Sequence, residues 1–233
     1  FDTLILRGGA GDSYAHEIQP GTVQYIRDEF GRRMQLSIGH PAPHGRFAHM
    51  YLNGLYWGIY NVCEKPEASF AEYYFGGNEE TYDTVKHSLA IEAVDGNMDA
   101  WNQLLAMCNP GLPDNASYQA IQGRNADGTP NPAYTNLLDV GNYIDYILLE
   151  TWANNTDWPN NNWTVSRDRA GPAGFRTPLW DFESALIGLA GNLGVYADNT
   201  DVSTEIAKPY WAMRQNAEFR LSFADRIHKH CFN

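Results

Sequence analysis

"NNTDWPNNNWTVSRD", residues 154–168, crowds five asparagines and two aspartates around two tryptophans, and "PLWDFESAL", residues 178–186, follows shortly after. A surface loop has no need of the tryptophans, and a buried strand would not tolerate the asparagines. Two readings fit such a mixture: a ligand site, or a well-ordered turn.

The flanking pattern favours the site. Val140, Tyr143, Ile144, Ile147, Leu148 and Trp152 recur at helical spacing behind Asp139, a suitable N-cap. This predicts a helix running straight into the first cluster. "WTVSRD", "AGPAG" and "FRTPLW" then read as strand, turn and strand, with Asp181 at the exit. The two ends of a hairpin come together in space, so Asn162 and Asp181 are expected face to face. An amide oxygen opposite a carboxylate makes a hard-oxygen site for Mg²⁺, with phosphates completing the shell. Asp157, five residues before Asn162, is left free to accept a proton from an incoming hydroxyl. Protein kinases use this order: a catalytic aspartate, a metal-binding asparagine five residues on, then a metal-binding aspartate. Each residue alone is an ordinary turn former; the order of the three carries the signal.

Bulk properties bound the alternatives. The 233 residues allow one large domain or two lobes with a cleft. A net charge of −12 without a sustained basic stripe excludes nucleic acid as the main partner. A nucleotide would therefore need a divalent cation or a local basic patch. No run approaches the roughly 20 apolar residues of a membrane span. Cys63, Cys108 and Cys231 are odd in number and lack metal-type spacing, so no disulfide framework is implied. The chain starts without methionine and stops inside a helix-like pattern, which reads as a domain cut from a longer protein.

Other segments give an outline. "TLILR" (3–7) reads as a strand entering a glycine turn. From Thr22 to about Gly39, Val23, Ile26, Phe30 and Met34 recur at helical spacing, and Arg27, Asp28, Glu29, Arg32 and Arg33 are expected on the solvated face. "RFAHMYLNGLYWGIYNV" (46–62) centres on Asn53-Gly54, the pair that suits a type I′ hairpin turn. Helices are expected at "PEASFAEYYF", at 95–107 and along "KPYWAMRQNAEFRLSFADRIHKH", a strand at "YDTVKH", and a long irregular insertion at 109–136. His40, His44 and His49 lie four and five apart on a proline-containing loop, which points to structural roles. Trp158, Trp163 and Trp180 are expected to wall a cleft.

"YLNGLYWGIYNVCEK", "NNTDWPNNNW" and "PLWDFESALIG" together resemble the CotH family, the spore-coat protein H type of atypical secreted kinase. The likeness runs from Leu4 to Gly188, and "RDEFGRRMQ" and "HGRFAHMYLNGLYWG" resemble the branch found in large multi-domain bacterial secreted or surface proteins. The resemblance implies an α+β, protein-kinase-like two-lobed fold within one domain. A small β-containing N-lobe would span about 1–90 and a mostly helical C-lobe about 91–233. It implies ATP- and Mg²⁺- or Mn²⁺-dependent phosphoryl transfer to a protein Ser or Thr, outside the cell or on its surface. Asp157 matches the catalytic aspartate; Asn162 and Asp181 match the metal ligands. Glu64 and Lys86 match nucleotide-side positions, with Arg7 an alternative cation and Glu29 a partner for the phosphate-binding cation. The chain departs from kinases in lacking G-x-G-x-x-G and in carrying Asn155 and Thr156 where His-Arg would precede the aspartate.

Two other classes stay open. A carbohydrate-active module would use Asp181 with Glu183 or Asp157 as its carboxylate pair. An inactive kinase-shaped adhesion domain would use none of these residues chemically.

Overall fold

The computed structural model describes residues 3–14, 21–187 and 205–233; Gly188 lies outside them. The fold is α+β: two three-stranded antiparallel sheets and seven α-helices among the described residues. No helix of the described residues is long and apolar enough to cross a membrane.

The first sheet has the order β1-β3-β2, from Leu4–Arg7 (β1), Gly45–Leu52 (β2) and Leu55–Glu64 (β3). Its hairpin turns at Asn53 and Gly54, both at positive φ (50° and 82°), as the Asn-Gly pair predicts. The second sheet has the order β5-β4-β6, from Tyr82–His87 (β4), Ile91–Asp95 (β5) and Trp163–Asp168 (β6). It therefore draws strands from both sides of residue 90, the boundary expected between lobes.

Helix α1 (Arg27–Ser37) lies beside the first sheet and α2 (Ala68–Phe75) follows it. Helix α3 (Asp99–Cys108) precedes the segment expected to be irregular, which contains a short helix, α4 (Asn115–Ala120). Asp114 caps α4 by accepting from the Ser117 amide. Helix α5 (Val140–Trp152) forms as its spacing predicts, with Asp139 accepting from the Asn142 amide. Its apolar face joins Trp101, Trp163, Phe175 and Phe219 in the main core, while Trp152 is half exposed at the last turn. The C-terminal segment is two helices rather than one, α6 (Lys208–Met213) and α7 (Ala217–Cys231). Asn216, in the turn between them, caps the second, its side chain accepting from the Glu218 and Phe219 amides.

Helix α1 corrects two expectations. It starts at Arg27, not Thr22, and most of its charged face is buried, while Arg33 stays exposed and Met34 packs against the core as expected. Ile26, just before it, and Phe30 are 51% and 37% exposed, whereas Arg27, Asp28, Glu29, Arg32 and Gln35 are buried. The charged face is inside because every charge there finds a partner. Arg27 pairs with Asp12 at 2.7 Å, Arg32 with both Asp28 and Glu29 at 3.1 Å, and Glu29 with Arg33 at 2.6 Å. Buried charges are tolerable only when paired in this way.

The return leg of the expected 163–180 hairpin also differs. The chain does double back, Ser166 and Arg176 exchanging backbone hydrogen bonds at 2.9 and 3.0 Å, but "FRTPLW" is not a strand. Pro178 has no N–H to give a ladder, and side-chain amides take the backbone groups around it. Asn142 Oδ1 accepts from Thr177 N at 2.7 Å. Gln35 donates to Thr177 O at 2.8 Å and accepts from Leu179 N at 2.6 Å, bracketing the proline from α1.

Candidate active site

The loop after α5 is built from short polar side chains because its backbone requires them. Asn154, Asn162 and Asp181 all have left-handed backbone, with φ of 48°, 60° and 58°. Among non-glycine residues, Asn and Asp adopt this region most readily. Leu186 N donates to Ala153 O at 2.8 Å and Thr156 N to Ser184 O at 3.3 Å. The two Asn/Asp-rich clusters are thereby stitched together along their lengths.

Within this frame Asn162 is fixed twice. Its backbone N–H donates to His87 O at the end of β4, at 3.0 Å. Its side-chain Nδ2 donates to Asp157 Oδ2 at 2.5 Å. A carboxylate only accepts, so the amide nitrogen must face Asp157 and the amide oxygen faces away from it. Asn162 and Asp181 line one cavity of about 130 Å³, with Lys86, Lys65, Trp163 and Trp180 also on its wall. Asp157 is half-buried and meets that wall through Asn162.

Asp181 sits in a dense cluster of charges. Its Oδ1 pairs with Arg7 Nη2, which also reaches Glu183 Oε1 at 2.7 Å. Arg7 Nε lies 3.3 Å from Asp28 Oδ2, and its guanidinium stands over the Trp180 ring at 4.7 Å. Burial alone would lower the Arg7 pKa, but Asp28, Asp181 and Glu183 outweigh it and hold the guanidinium firmly charged. Asp181 moves the other way: burial, helped by Glu183 and Asp28, pushes its carboxyl above the usual range against the pull of Arg7. Around this point five carboxylates (Asp12, Asp28, Glu29, Asp181 and Glu183) meet four guanidiniums (Arg7, Arg27, Arg32 and Arg33). The group is one negative charge in excess.

That excess, with two hard-oxygen donors on one wall, suits a divalent cation. No group of three or more His, Cys, Asp or Glu side chains could hold a metal among the described residues. The residues therefore fit an ion that arrives with its own oxygen ligands, as Mg²⁺ does on a polyphosphate, better than a resident metal. Lys65 and Lys86 give the same cavity positive charge for such an anion. Each also has an acidic neighbour, Glu67 and Glu92 respectively.

Other expected residues lie elsewhere. Glu64 is buried against His44 and Tyr74, accepting from His44 N at 2.9 Å and Tyr74 Oη at 2.8 Å, and does not line this cavity. The α1 acid that reaches the strand cation is Asp28, not Glu29, which is spent on Arg32, Arg33 and Asn61. His40, His44 and His49 have three separate partners: Asp145, Glu64 and Tyr56. Trp163 and Trp180 wall the cavity, while Trp158 sits in the main core. Asp181 and Glu183 hold one guanidinium in common, so neither is a free member of a hydrolytic carboxylate pair. Asp28 was missed because a charged helix face reads as solvated; its position one turn before Arg32 was the available signal.

No curated protein matches the chain. A family model described as CotH kinase protein matches residues 22–229, and the chain belongs to that family.

Proposed function

We propose that this chain is an ATP-dependent protein kinase that phosphorylates a Ser or Thr hydroxyl and works with Mg²⁺ or Mn²⁺. The observation that carries this reading is the Asn162 side chain, which joins Asp157 on one side and shares a cavity wall with Asp181 on the other. The first sheet with α1 acts as the small lobe, and the α5-centred core as the large one. When bound, the metal-nucleotide supplies the phosphoryl group with its negative charge partly neutralised.

The chain's residues then have distinct tasks. Asp157 orients the acceptor hydroxyl and takes its proton, Asn162 fixing one of its two oxygens. Asn162 Oδ1 and Asp181 Oδ2 would hold the ion, since Arg7 occupies Asp181 Oδ1. Lys86, on the cavity wall from β4, would face the phosphates, and Arg7 holds the 181–183 segment against the first sheet. Most of the acceleration comes from this positioning and charge neutralisation. Following its family, the domain works outside the cell or on its surface, within a longer chain and on a protein acceptor.

One observation favours a second reading, a kinase-shaped domain without activity: Asp181 already has a full cationic partner in Arg7. A radiolabelled-ATP transfer assay on a generic Ser/Thr protein acceptor and on the chain itself separates the two. The kinase reading expects Mn²⁺-dependent labelling, reduced on the order of 10²–10⁴-fold by Asp157→Ala with nucleotide binding retained. No labelling with either metal, despite a folded protein, supports the inert scaffold.

A further inference from the structure

We infer that Glu150 and Asn155 form a buried positioning pair that sets the orientation of Asp157, in the place where kinases use other residues. The inference rests on the reading of Asp157 as the residue that takes the hydroxyl proton.

Both side chains are fully buried, which is costly for polar groups without an assigned task. Glu150 is in the last turn of α5, on the rigid side of the junction. Asn155 Nδ2 donates to Glu150 Oε2 at 2.8 Å, and its backbone N–H donates to Glu150 O at 3.1 Å. The side chain is thus anchored to the helix end with its Oδ1 pointed onward. That oxygen accepts from Asp157 N at 3.4 Å, and the Asp157 carboxylate accepts from Asn162 Nδ2. A continuous path therefore runs from a helix in the main core to the carboxylate and on to the cavity wall. Asn155 holds the backbone from behind and Asn162 holds the carboxylate from in front.

The helix end makes this more than a local turn. An Asn accepting from the amide two residues on is common in loops and needs no buried acid. Here the amide nitrogen is held by a buried carboxyl group, and the oxygen is fixed toward Asp157, whose backbone N–H can only donate. Burial, the largest influence, pushes Glu150 up to about 8, with Asp28 and Asp157 adding to it and Asn155 and Tyr146 pulling back. At neutral pH the group is a neutral carboxylic acid. It can hold Asn155 without setting a second negative charge beside Asp157. Glutamine is a close substitute for that form, and methionine fills the space without an acceptor.

The test compares Glu150→Gln, Glu150→Met and Asn155→Ala with the parent by two readouts. In phosphotransfer, Glu150→Gln should keep kcat near the parent value. Glu150→Met and Asn155→Ala should lower kcat by on the order of 10–10²-fold, leaving KM for ATP and the Mn²⁺-dependent thermal shift unchanged. In ¹⁵N-HSQC spectra of the free protein, the Asn162 side-chain amide should move in the Met and Ala variants and stay in the Gln variant. Parent kcat in both disrupted variants overturns the inference, as does an unmoved Asn162 amide. If Glu150→Met does not fold, Asn155→Ala carries the same comparison. A parent without transfer activity counts against the kinase reading, and the spectra then decide the positioning pair by themselves.

Discussion

In the proposed reading Asn162 does two tasks with one amide group, and the chemistry of each end dictates the other. Its nitrogen must face the acceptor-only Asp157 carboxylate, so its oxygen is left for a cation at the cavity. Asn162→Asp should therefore harm more than the metal site, because it sets two carboxylates against each other. We expect its transfer activity to fall at least as far as that of Asp157→Ala, and a matched kinetic comparison checks this. Glu150 provides a residue-level prediction in pH. A folded-state value of about 8, against an ordinary 4.5, means the folded protein keeps a proton that the unfolded chain releases. Its stability is then fullest below the ordinary value and declines as pH rises toward 8, where the loss levels off. Glu150→Gln should remove that decline, gaining on the order of a few kcal/mol over the parent at pH 8 and little at pH 5. Urea midpoints across this range measure it; parallel curves for the two proteins would contradict the assignment. Asn162 and Asp181 stood out in the sequence because left-handed backbone selects Asn and Asp, and the structure brings both to one cavity wall; Asp157 stood out only through its place in the order. Glu150 did not stand out: inside a strongly periodic helix, one acid on the buried side has no pattern of its own.

Helix α1 shows why element-level reading was only partly successful. Its existence followed from spacing, but its facing did not, because periodicity shows that two faces differ without showing which one has partners. Those partners come from β1, the glycine turn and the 181–183 segment, far away in sequence. Asp28 illustrates the result: Oδ1 accepts from Phe182 N at 3.0 Å while Oδ2 faces both Arg7 and Arg32. Gln35 is the second tie, and its amide replaces the sheet ladder that Pro178 forbids. Gln35→Ala should cost about 2–4 kcal/mol, since it strands two buried backbone groups, and chemical denaturation measures the loss. Gly31 marks the closest approach of the same helix: a Cβ there would run into the Phe182 ring. Gly31→Ala should cost about 1–3 kcal/mol through overpacking and shift the 181–183 segment. The hairpin at Asn53-Gly54 was fully legible, because that turn is decided by two adjacent residues.

At the scale of the molecule, the candidate site is where the first strand is tied to the 181–183 segment. Arg7, near the beginning, grips Asp181 and Glu183, more than 170 residues later. No sequence pattern announces such a link, and the family resemblance left Arg7 as an alternative rather than as the hub. Removing it should be felt in both stability and site geometry. Arg7→Ala leaves two buried acids, Asp28 and Glu183, and the partly buried Asp181 without their shared cation, and should lose about 3–5 kcal/mol. The α+β class and the antiparallel hairpin were readable from local signals. The second sheet was not, since β4 pairs with β6 across some eighty residues, a partnership that neither strand encodes alone. The central claim is that Asn162 and Asp181 share one divalent ion brought by a nucleotide. A thermal-shift titration with ATP, with and without Mn²⁺, on the parent and Asp181→Asn tests it most directly. A Mn²⁺-dependent rise in the parent's melting temperature that Asp181→Asn abolishes is expected; an equal rise in both proteins, or none in the parent, would rule out the shared ion.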